Sequence, residues 1–330
     1  MFLAMLALAV VIGLGSRAIV ASDQGEPDEP NSGETLGQII VPTPTSESAA
    51  AIVVAEPTPT TGPRFQAPQS VTAVAIHAWA PETGEVLIDQ AASERMQVGS
   101  IVKVATAVVA LQYVALDEVV VIDSTDLVDP AIYSNMGLVA GDTLTVEQLL
   151  MGLLIPSGGD AAEALARYVG AGLSGSDDPE TARNAFVDAM NEWAVELGLT
   201  DTSFANASGD DADGGYSSAH DVSVMAARLL DVPVLVDIVG TASYEFTSDG
   251  GTVYTGYNTN ALLGQDGVFG IKTGSTGDAG GCVVLARYDD AGDVEIVTIL
   301  GSELEYNELN QIVVDARWDD ARLLFQTIDV

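Results

Sequence analysis

The order of strand-like and helix-like segments is the feature that most constrains the fold of this chain. Two strand patterns come first, VTAVAIHAW at 71–79 and EVLID at 85–89, separated by the turn signal PETG. A long block of helical patterns follows, then three strand patterns, VFGIKTG, CVVLARY and VEIVTIL, and a last helical pattern, ELNQIVVDARWDDARLLF. Strands that are separated by a block of helices, rather than alternating with them, favour an antiparallel sheet over a doubly wound parallel one. We therefore predict a mixed α/β chain of the α+β kind, an antiparallel β-sheet flanked by helices.

Local signals mark where several helices begin. The segment SIVKVATAVVALQYV, from Ser100, is apolar nearly all round, which is typical of a helix buried on every side. Thr145 and Gln148 have the spacing of a capping box before the run LLMGLLI. Pro179 suits the first turn of a third helix, and Ser218 opens a fourth.

The first 69 residues differ in composition from the rest. Residues 1–22 begin with the apolar run MFLAMLALAVVIGLG and end in small residues, which is typical of a signal peptide or membrane anchor. Residues 23–69 are rich in Pro, Thr, Ser and Glu, without a period of 2 or 3.6, which predicts a disordered linker. We expect one folded domain over residues 70–330, located outside the cytoplasm and either secreted or anchored by the N-terminal segment.

The charge balance and the cysteine content exclude several classes of partner. A formal net charge of −37 argues against nucleic acid, which is bound by clustered Lys and Arg, and restricts membrane contact to the N-terminal segment. The single cysteine, Cys282, excludes an internal disulfide and a cysteine-rich zinc site. The acidic stretch GDDADGG at 209–215 lacks the full calcium-loop pattern and is interpreted as a solvated turn, so no metal or other cofactor is expected.

Lysine is almost absent from this chain, which makes the remaining lysines informative. Of eleven basic residues nine are arginine, and the two lysines are Lys103 and Lys272. Lys103 follows Ser100 by three residues at the start of the apolar helix, so both side chains lie on one helix face. A lysine whose pKa is lowered by burial can take the proton of a serine hydroxyl and so activate it as a nucleophile. The alternative, an exposed helix lysine, fits poorly with apolar neighbours.

The second lysine stands in GIKTGST at 270–276, at the end of a predicted strand. A lysine with the hydroxyl of Thr273 beside it can bind a carboxylate. Gly274 lets a substrate backbone approach an edge strand closely.

Taken together, these segments resemble the penicillin-binding serine D-Ala-D-Ala carboxypeptidases, the low-molecular-mass penicillin-binding proteins. The three marks of that family are Ser-x-x-Lys, Ser-x-Asn and Lys-Thr-Gly, in this order. Ser157 in LLIPSGGDAAEALA stands where the second mark is expected. The resemblance extends over roughly residues 70–328, through segments such as TLTVEQLLMGLLIPSG and DGVFGIKTGSTGDAGGC. It implies the β-lactamase/DD-peptidase-like fold, with an all-helical subdomain beside the sheet.

The resemblance also implies a role for each matching residue. Ser100 would be the acylated nucleophile, Lys103 its general base, and Ser157 the relay of a proton to the leaving D-alanine. Lys272 would bind and polarise the substrate, and Thr273 would lie near its terminal carboxylate. The remaining substrate-binding positions would be Gly274, Gly159 and Ser275, whose backbone N–H would form the oxyanion hole with that of Ser100.

One position departs from the family pattern. Gly159 stands where the family has the asparagine of Ser-x-Asn, and Asp160 follows it. The carboxamide would help to hold the substrate amide and the base lysine. Each such hydrogen bond typically contributes about 1 to 3 kcal/mol when its partners are buried. If Asp160 begins the helix, we do not expect it to replace the asparagine.

The implied function is that of an exported serine carboxypeptidase, a hydrolase of the cell envelope. Its substrates would be peptidoglycan stem peptides ending in D-Ala-D-Ala, with β-lactams as covalent inhibitors. Two alternatives stay open. A β-lactamase of the same fold is disfavoured because no Glu-x-x-Leu-Asn lies between Ser157 and Lys272. A non-catalytic peptidoglycan-binding relic is suggested by Gly159 and disfavoured by the retention of the other motif residues.

The two histidines do not suggest a Ser-His-Asp triad. His77 lies in a predicted strand and His220 beside a helix start, without metal-ligand spacing. Both are interpreted as packing or surface residues.

Overall fold

A computed structural model describes residues 62–211, 214–309 and 311–330. The predicted export segment, 1–22, and the predicted linker up to residue 61 lie outside the described residues. At the C-terminal end of that linker, the backbone N–H groups of Arg64 and Phe65 donate to the carbonyls of Val86 and Leu87. Within the described ranges no helix is both long and apolar enough to cross a membrane.

A five-stranded antiparallel sheet forms the centre of the fold, with strand order β2-β1-β9-β8-β7. The first two strands form the predicted hairpin, and the last three are the predicted strands of the C-terminal part. The sheet strands are β1 Ala75–Ala80, β2 Glu85–Gln90, β7 Val268–Thr276, β8 Gly280–Tyr288 and β9 Val294–Ser302. Among the described strands β7 lies at the edge of this sheet, where a further extended segment can pair with it.

Three two-stranded ribbons complete the strands that the structure describes. They are β3 Val119–Val121 with β4 Thr143–Thr145, β5 Ser243–Thr247 with β6 Val253–Tyr257, and β10 Leu304–Tyr306 with β11 Ile312–Asp315.

The helices lie mainly between the two parts of the sheet in sequence. They are α1 Lys103–Ala110, α2 Val146–Leu154, α3 Gly159–Ser174, α4 Pro179–Glu196, α5 Ala219–Leu230, α6 Pro233–Val239 and α7 Arg317–Ile328. Every residue of α1 is buried, as its apolar composition predicts. The larger apolar core joins α1 to helices α2–α6 and to one face of the sheet, and a smaller core packs α7 against the opposite face. The predicted fold class, an antiparallel sheet flanked by helices, is confirmed.

The helix-start predictions are confirmed by the capping geometry. Thr145 and Gln148 form a reciprocal capping box at α2, with 3.2 and 2.9 Å hydrogen bonds. Pro179 is in the first turn of α4, and the Ser218 side chain caps α5. The predicted C-terminal helix is wrong in its first half, because the β-branched run at 312–314 pairs with β10 as a strand and the helix begins only at Arg317.

Candidate active site

Ser100 and Lys103 occupy the junction between a 3₁₀ turn, Gly99–Val102, and α1. The Lys103 amine nitrogen lies 2.8 Å from the Ser100 hydroxyl oxygen, in a hydrogen bond. The lysine side chain is buried, with 1% of its surface exposed, whereas Ser100 is partly exposed. A hydroxyl that solvent reaches therefore contacts an amine that is shielded from solvent.

Burial lowers the pKa of the Lys103 amine from 10.5 to about 8. The carboxylates of Asp210, Glu163 and Asp160 oppose this shift by favouring the charged ammonium. The amine also donates a 2.5 Å hydrogen bond to the backbone carbonyl of Ser208. With a pKa of about 8, roughly a tenth of the amine is neutral at pH 7 and able to accept a proton.

The end of strand β7 packs directly against the turn that carries Ser100. A Cβ atom at Gly274 would lie 2.2 Å from the carbonyl oxygen of Val98, so only glycine allows this approach. A Cβ atom at Gly99 would lie 3.1 Å from the backbone nitrogen of Ser275. The two backbone N–H groups predicted to form an oxyanion hole, those of Ser100 and Ser275, thus belong to two elements in contact.

Lys272 belongs to the same strand and is buried, with 1% of its surface exposed. Its pKa is lowered well below 10.5, first by desolvation and then by the positive charges of Lys103 and Arg317. The neighbouring Thr273 hydroxyl shares a 2.7 Å hydrogen bond with that of Thr259. Strand β7 therefore brings to the site a buried amine and the Thr273 hydroxyl, which is bonded to a hydroxyl outside the strand.

Ser157 lies in the turn before α3 and takes a left-handed backbone conformation, with φ +67°. The turn is held by the Ser134 hydroxyl, which donates to the Ser157 carbonyl at 2.6 Å. Two residues earlier, the Ile155 carbonyl accepts from the backbone N–H of Thr259, the residue whose hydroxyl bonds to Thr273. This contact ties the Ser157 turn to strand β7.

Gly159 begins α3 and contributes no polar side chain to the site. Its backbone N–H donates to the Ser134 carbonyl at 2.7 Å. The next residue, Asp160, does not replace the missing carboxamide, because its carboxylate accepts hydrogen bonds from four backbone N–H groups. The donors are Met136, Gly137, Leu138 and Ala161.

The sequence reasoning missed Arg317, the first residue of α7. Its buried guanidinium donates to the carbonyl of Gly274 at 2.7 Å, to the Ser275 hydroxyl at 2.6 Å and to the carbonyl of Cys282 at 3.0 Å. It thereby fixes the backbone of β7 beside the Lys-Thr-Gly motif. Nothing in the sequence distinguished it from the other arginines.

Electrostatically, the two lysines stand apart from the arginines. Every arginine that the structure describes pairs with at least one carboxylate. Within the same residues neither Lys103 nor Lys272 has a carboxylate within salt-bridge distance. In a chain of net charge −37, the site thus holds two buried amines that are not in direct contact with a carboxylate.

Neither histidine bonds to Ser100. His77 is buried, contacts the Ser223 hydroxyl at 2.9 Å and has its pKa lowered by burial to about 3. His220 contacts the Asp221 carboxylate at 3.1 Å. Among the described residues no group of three or more His, Cys, Asp and Glu side chains has the arrangement of a metal site.

Comparison with known proteins gives one consistent result. The family model for D-alanyl-D-alanine carboxypeptidase matches residues 62–303. The D-alanyl-D-alanine carboxypeptidase DacF of Bacillus subtilis is 33% identical over 211 residues, which are 62% of this chain and 51% of that protein. A D-alanyl-D-alanine carboxypeptidase of a Streptomyces species is 35% identical over 244 residues, 71% of this chain and 82% of that protein. The chain therefore spans about half the length of the Bacillus relative and most of the Streptomyces one.

A solved structure supports the same relationship. The crystal structure of a Streptomyces DD-transpeptidase superimposes with a TM-score of 0.70 at 33% identity, covering 78% of this chain and 97% of that one.

Proposed function

Because the chain belongs to the D-alanyl-D-alanine carboxypeptidase family of serine peptidases, we propose that it is an exported carboxypeptidase that removes the terminal D-alanine from peptidoglycan stem peptides. The observation that carries the proposal is the 2.8 Å contact between the Ser100 hydroxyl and a buried amine whose pKa is about 8. This pair faces an edge strand with a Lys-Thr-Gly motif, where an extended peptide can bind.

In the proposed reaction, Ser100 attacks the carbonyl carbon of the penultimate D-alanine while Lys103 accepts the hydroxyl proton. The negative charge on the carbonyl oxygen is stabilised by the backbone N–H groups of Ser100 and Ser275. The C–N bond then breaks, the leaving amine receives a proton through Ser157, and the peptide remains on Ser100 as an ester. Water hydrolyses this ester, which restores the serine.

Recognition of the substrate is assigned to strand β7 and its support. In the proposed complex the Thr273 hydroxyl, which is bonded to that of Thr259, binds the terminal carboxylate, and the Lys272 amine helps to polarise the substrate. The absence of a side chain at Gly274 keeps the strand close to the nucleophile. A β-lactam carries a carboxylate and an acylating carbonyl, so we expect it to acylate Ser100. With such a substrate, the protein would act in the cell envelope.

The test uses the full chain. Incubation with benzylpenicillin followed by intact-mass spectrometry should show one covalent adduct, which peptide mapping places on Ser100. A pentapeptide ending in D-Ala-D-Ala should release D-alanine. The Ser100→Ala variant should do neither. Absence of both adduct and D-alanine release from the folded wild-type protein would refute the proposed function.

Gly159 favours one second candidate, a peptidoglycan-binding domain without catalysis. It lacks the carboxamide that would hold the substrate amide. Such a protein would bind the pentapeptide at equilibrium but form no penicillin adduct, so the same mass measurement separates the two functions. Fast turnover of a chromogenic cephalosporin would instead indicate a β-lactamase.

A further inference from the structure

The Lys103 amine has a second polar partner, supplied by the loop Ala205–Asp210. Within the described residues its hydrogen bonds go to the Ser100 hydroxyl and to the Ser208 carbonyl. One turn further along α1, the Thr106 hydroxyl donates to the Ala207 carbonyl at 2.7 Å. Two successive carbonyls of this loop therefore accept hydrogen bonds from two successive turns of α1.

The loop is shaped by the side chain of Asn206. Its Oδ1 accepts the backbone N–H of Gly209 at 2.7 Å, and its Nδ2 donates to the Asp210 carbonyl at 3.0 Å. The Ser208 hydroxyl donates to the same Oδ1 at 3.3 Å and to the Asp210 carboxylate at 2.9 Å. Asn206, which precedes Ser208 in the chain, thus bonds to the two residues that follow Ser208 and so fixes the backbone whose carbonyl binds Lys103.

The loop also packs against the turn that carries Ser100. Gly209 has φ +81°, and a Cβ atom there would lie 2.1 Å from the Gly99 carbonyl oxygen and 3.0 Å from the Ser100 nitrogen. A displacement of this loop would therefore move an atom in contact with Ser100 as well as the acceptor of Lys103.

Helix α3 offers Lys103 no side-chain carboxamide, because residue 159 is glycine. We propose that the Asn206-braced loop takes over this task, so that Asn206 is a positioning residue for the general base. The inference rests on the proposed function. Asn206 acts through the Ser208 carbonyl, since its side-chain hydrogen bonds go to residues 208–210 and not to Ser100 or Lys103.

The test measures penicillin acylation under single-turnover conditions, which separates the dissociation constant of the non-covalent complex from the acylation rate constant. Asn206→Ala frees the loop, and a base displaced by about an ångström reacts about ten- to a hundredfold more slowly. We expect that loss in the acylation rate constant and an unchanged dissociation constant. The control is Asn307→Ala, which removes similar hydrogen bonds from an asparagine side chain to the loop of the β10–β11 hairpin. It should leave both constants unchanged.

A double variant separates positioning from a general structural role. A Cβ atom at residue 159 would lie 3.2 Å from the Ser134 carbonyl oxygen and 3.8 Å from Val128, so Gly159→Asn needs only a small adjustment. If a carboxamide at position 159 and the loop braced by Asn206 both position Lys103, Gly159→Asn should raise the acylation rate constant of Asn206→Ala about tenfold. It should raise that of the wild type by much less. Equal gains in the two backgrounds, or no rescue, would overturn the inference.

The link between Thr106 and the loop allows a second test if Asn206→Ala does not fold. Thr106→Val removes the hydrogen bond to the Ala207 carbonyl at nearly constant volume. It should slow acylation, again with rescue by Gly159→Asn, and an unchanged rate would overturn the inference. A wild-type protein that forms no adduct would instead refute the proposed function itself. An active wild type with fully active Asn206→Ala would refute only the role of the loop.

Discussion

The rate at which penicillin acylates Ser100 should depend on pH through the Lys103 amine. Only the neutral amine can accept the hydroxyl proton, and burial sets its pKa at about 8. The neutral fraction is about a hundredth at pH 6, a tenth at pH 7 and a half at pH 8. The acylation rate constant should therefore rise about tenfold from pH 6 to 7, about fivefold from 7 to 8, and only about twofold above pH 8.

The charges around the amine provide a second perturbation. Asp210, Glu163 and Asp160 raise its pKa, while desolvation lowers it. The pKa of the Lys272 amine is lowered by desolvation and then by the charge of Lys103. Because Glu163→Gln removes one negative charge, it should lower the pKa of Lys103 and move the acidic limb of the rate profile to lower pH. The shift should be larger at low ionic strength.

The assay is quenched-flow acylation followed by intact-mass spectrometry, between pH 5.5 and 9.5 at constant ionic strength. Far-ultraviolet circular dichroism at each pH checks that the protein stays folded, and Ser100→Ala serves as the blank. A rate constant that does not change between pH 6 and 8 would refute the assignment of Lys103 as the base. A Glu163→Gln profile displaced to higher pH would refute the electrostatic reasoning.

Four further outcomes follow from the same contacts. The pKa of Lys103 is about 8 in the folded state and 10.5 in the unfolded state, so the free energy of unfolding should rise with pH in this window by about 1.4 kcal/mol per unit, measured by urea denaturation. Gly274→Ala places a Cβ atom 2.2 Å from the Val98 carbonyl oxygen; it should separate β7 from the Ser100 turn and slow acylation by about a hundredfold while the circular dichroism spectrum is retained. Arg317→Leu leaves three acceptors, two of them buried carbonyls, without their donor and should lower the free energy of unfolding by about 3 kcal/mol; an unchanged urea midpoint would argue against its bracing role. Because a net charge of −37 makes the surface repel itself, the melting temperature should be higher in 1 M than in 0.1 M NaCl, and an unchanged value would contradict this.

Features encoded by neighbouring residues could be predicted from the sequence. The capping box of Thr145 and Gln148 and the cap at Ser218 depend on side chains within three positions of their partners. The segment 308–315 is wrongly predicted as helix because the spacing of its apolar residues is compatible both with the 3.6-residue period of a helix and with the two-residue period of a strand. Its β-branched residues form β11 only because β10 is available to pair with them.

In the candidate site, too, residues close together in the sequence could be predicted, whereas their distant supports could not. Ser100 and Lys103 are one helical turn apart, and lysine is so rare in this chain that each one is conspicuous. The supports of that pair could not be predicted, because Arg317 is one arginine among nine and Ser208 contributes only a backbone carbonyl. A carbonyl carries no signal of residue type, and it reaches Lys103 through a loop 105 positions further along the chain.

The difference between arginine and lysine explains why the lysines of the site have no carboxylate partner. An arginine stays charged when buried, so in the described fold each one is paired with carboxylates. A lysine in the same surroundings can lose its proton, and Lys103 is held near the point where it does so. A carboxylate in direct contact with Lys103 would keep it protonated and remove the base. Neutral partners, the Ser100 hydroxyl and the Ser208 carbonyl, hold the amine in place without raising its pKa as much as an ion pair would.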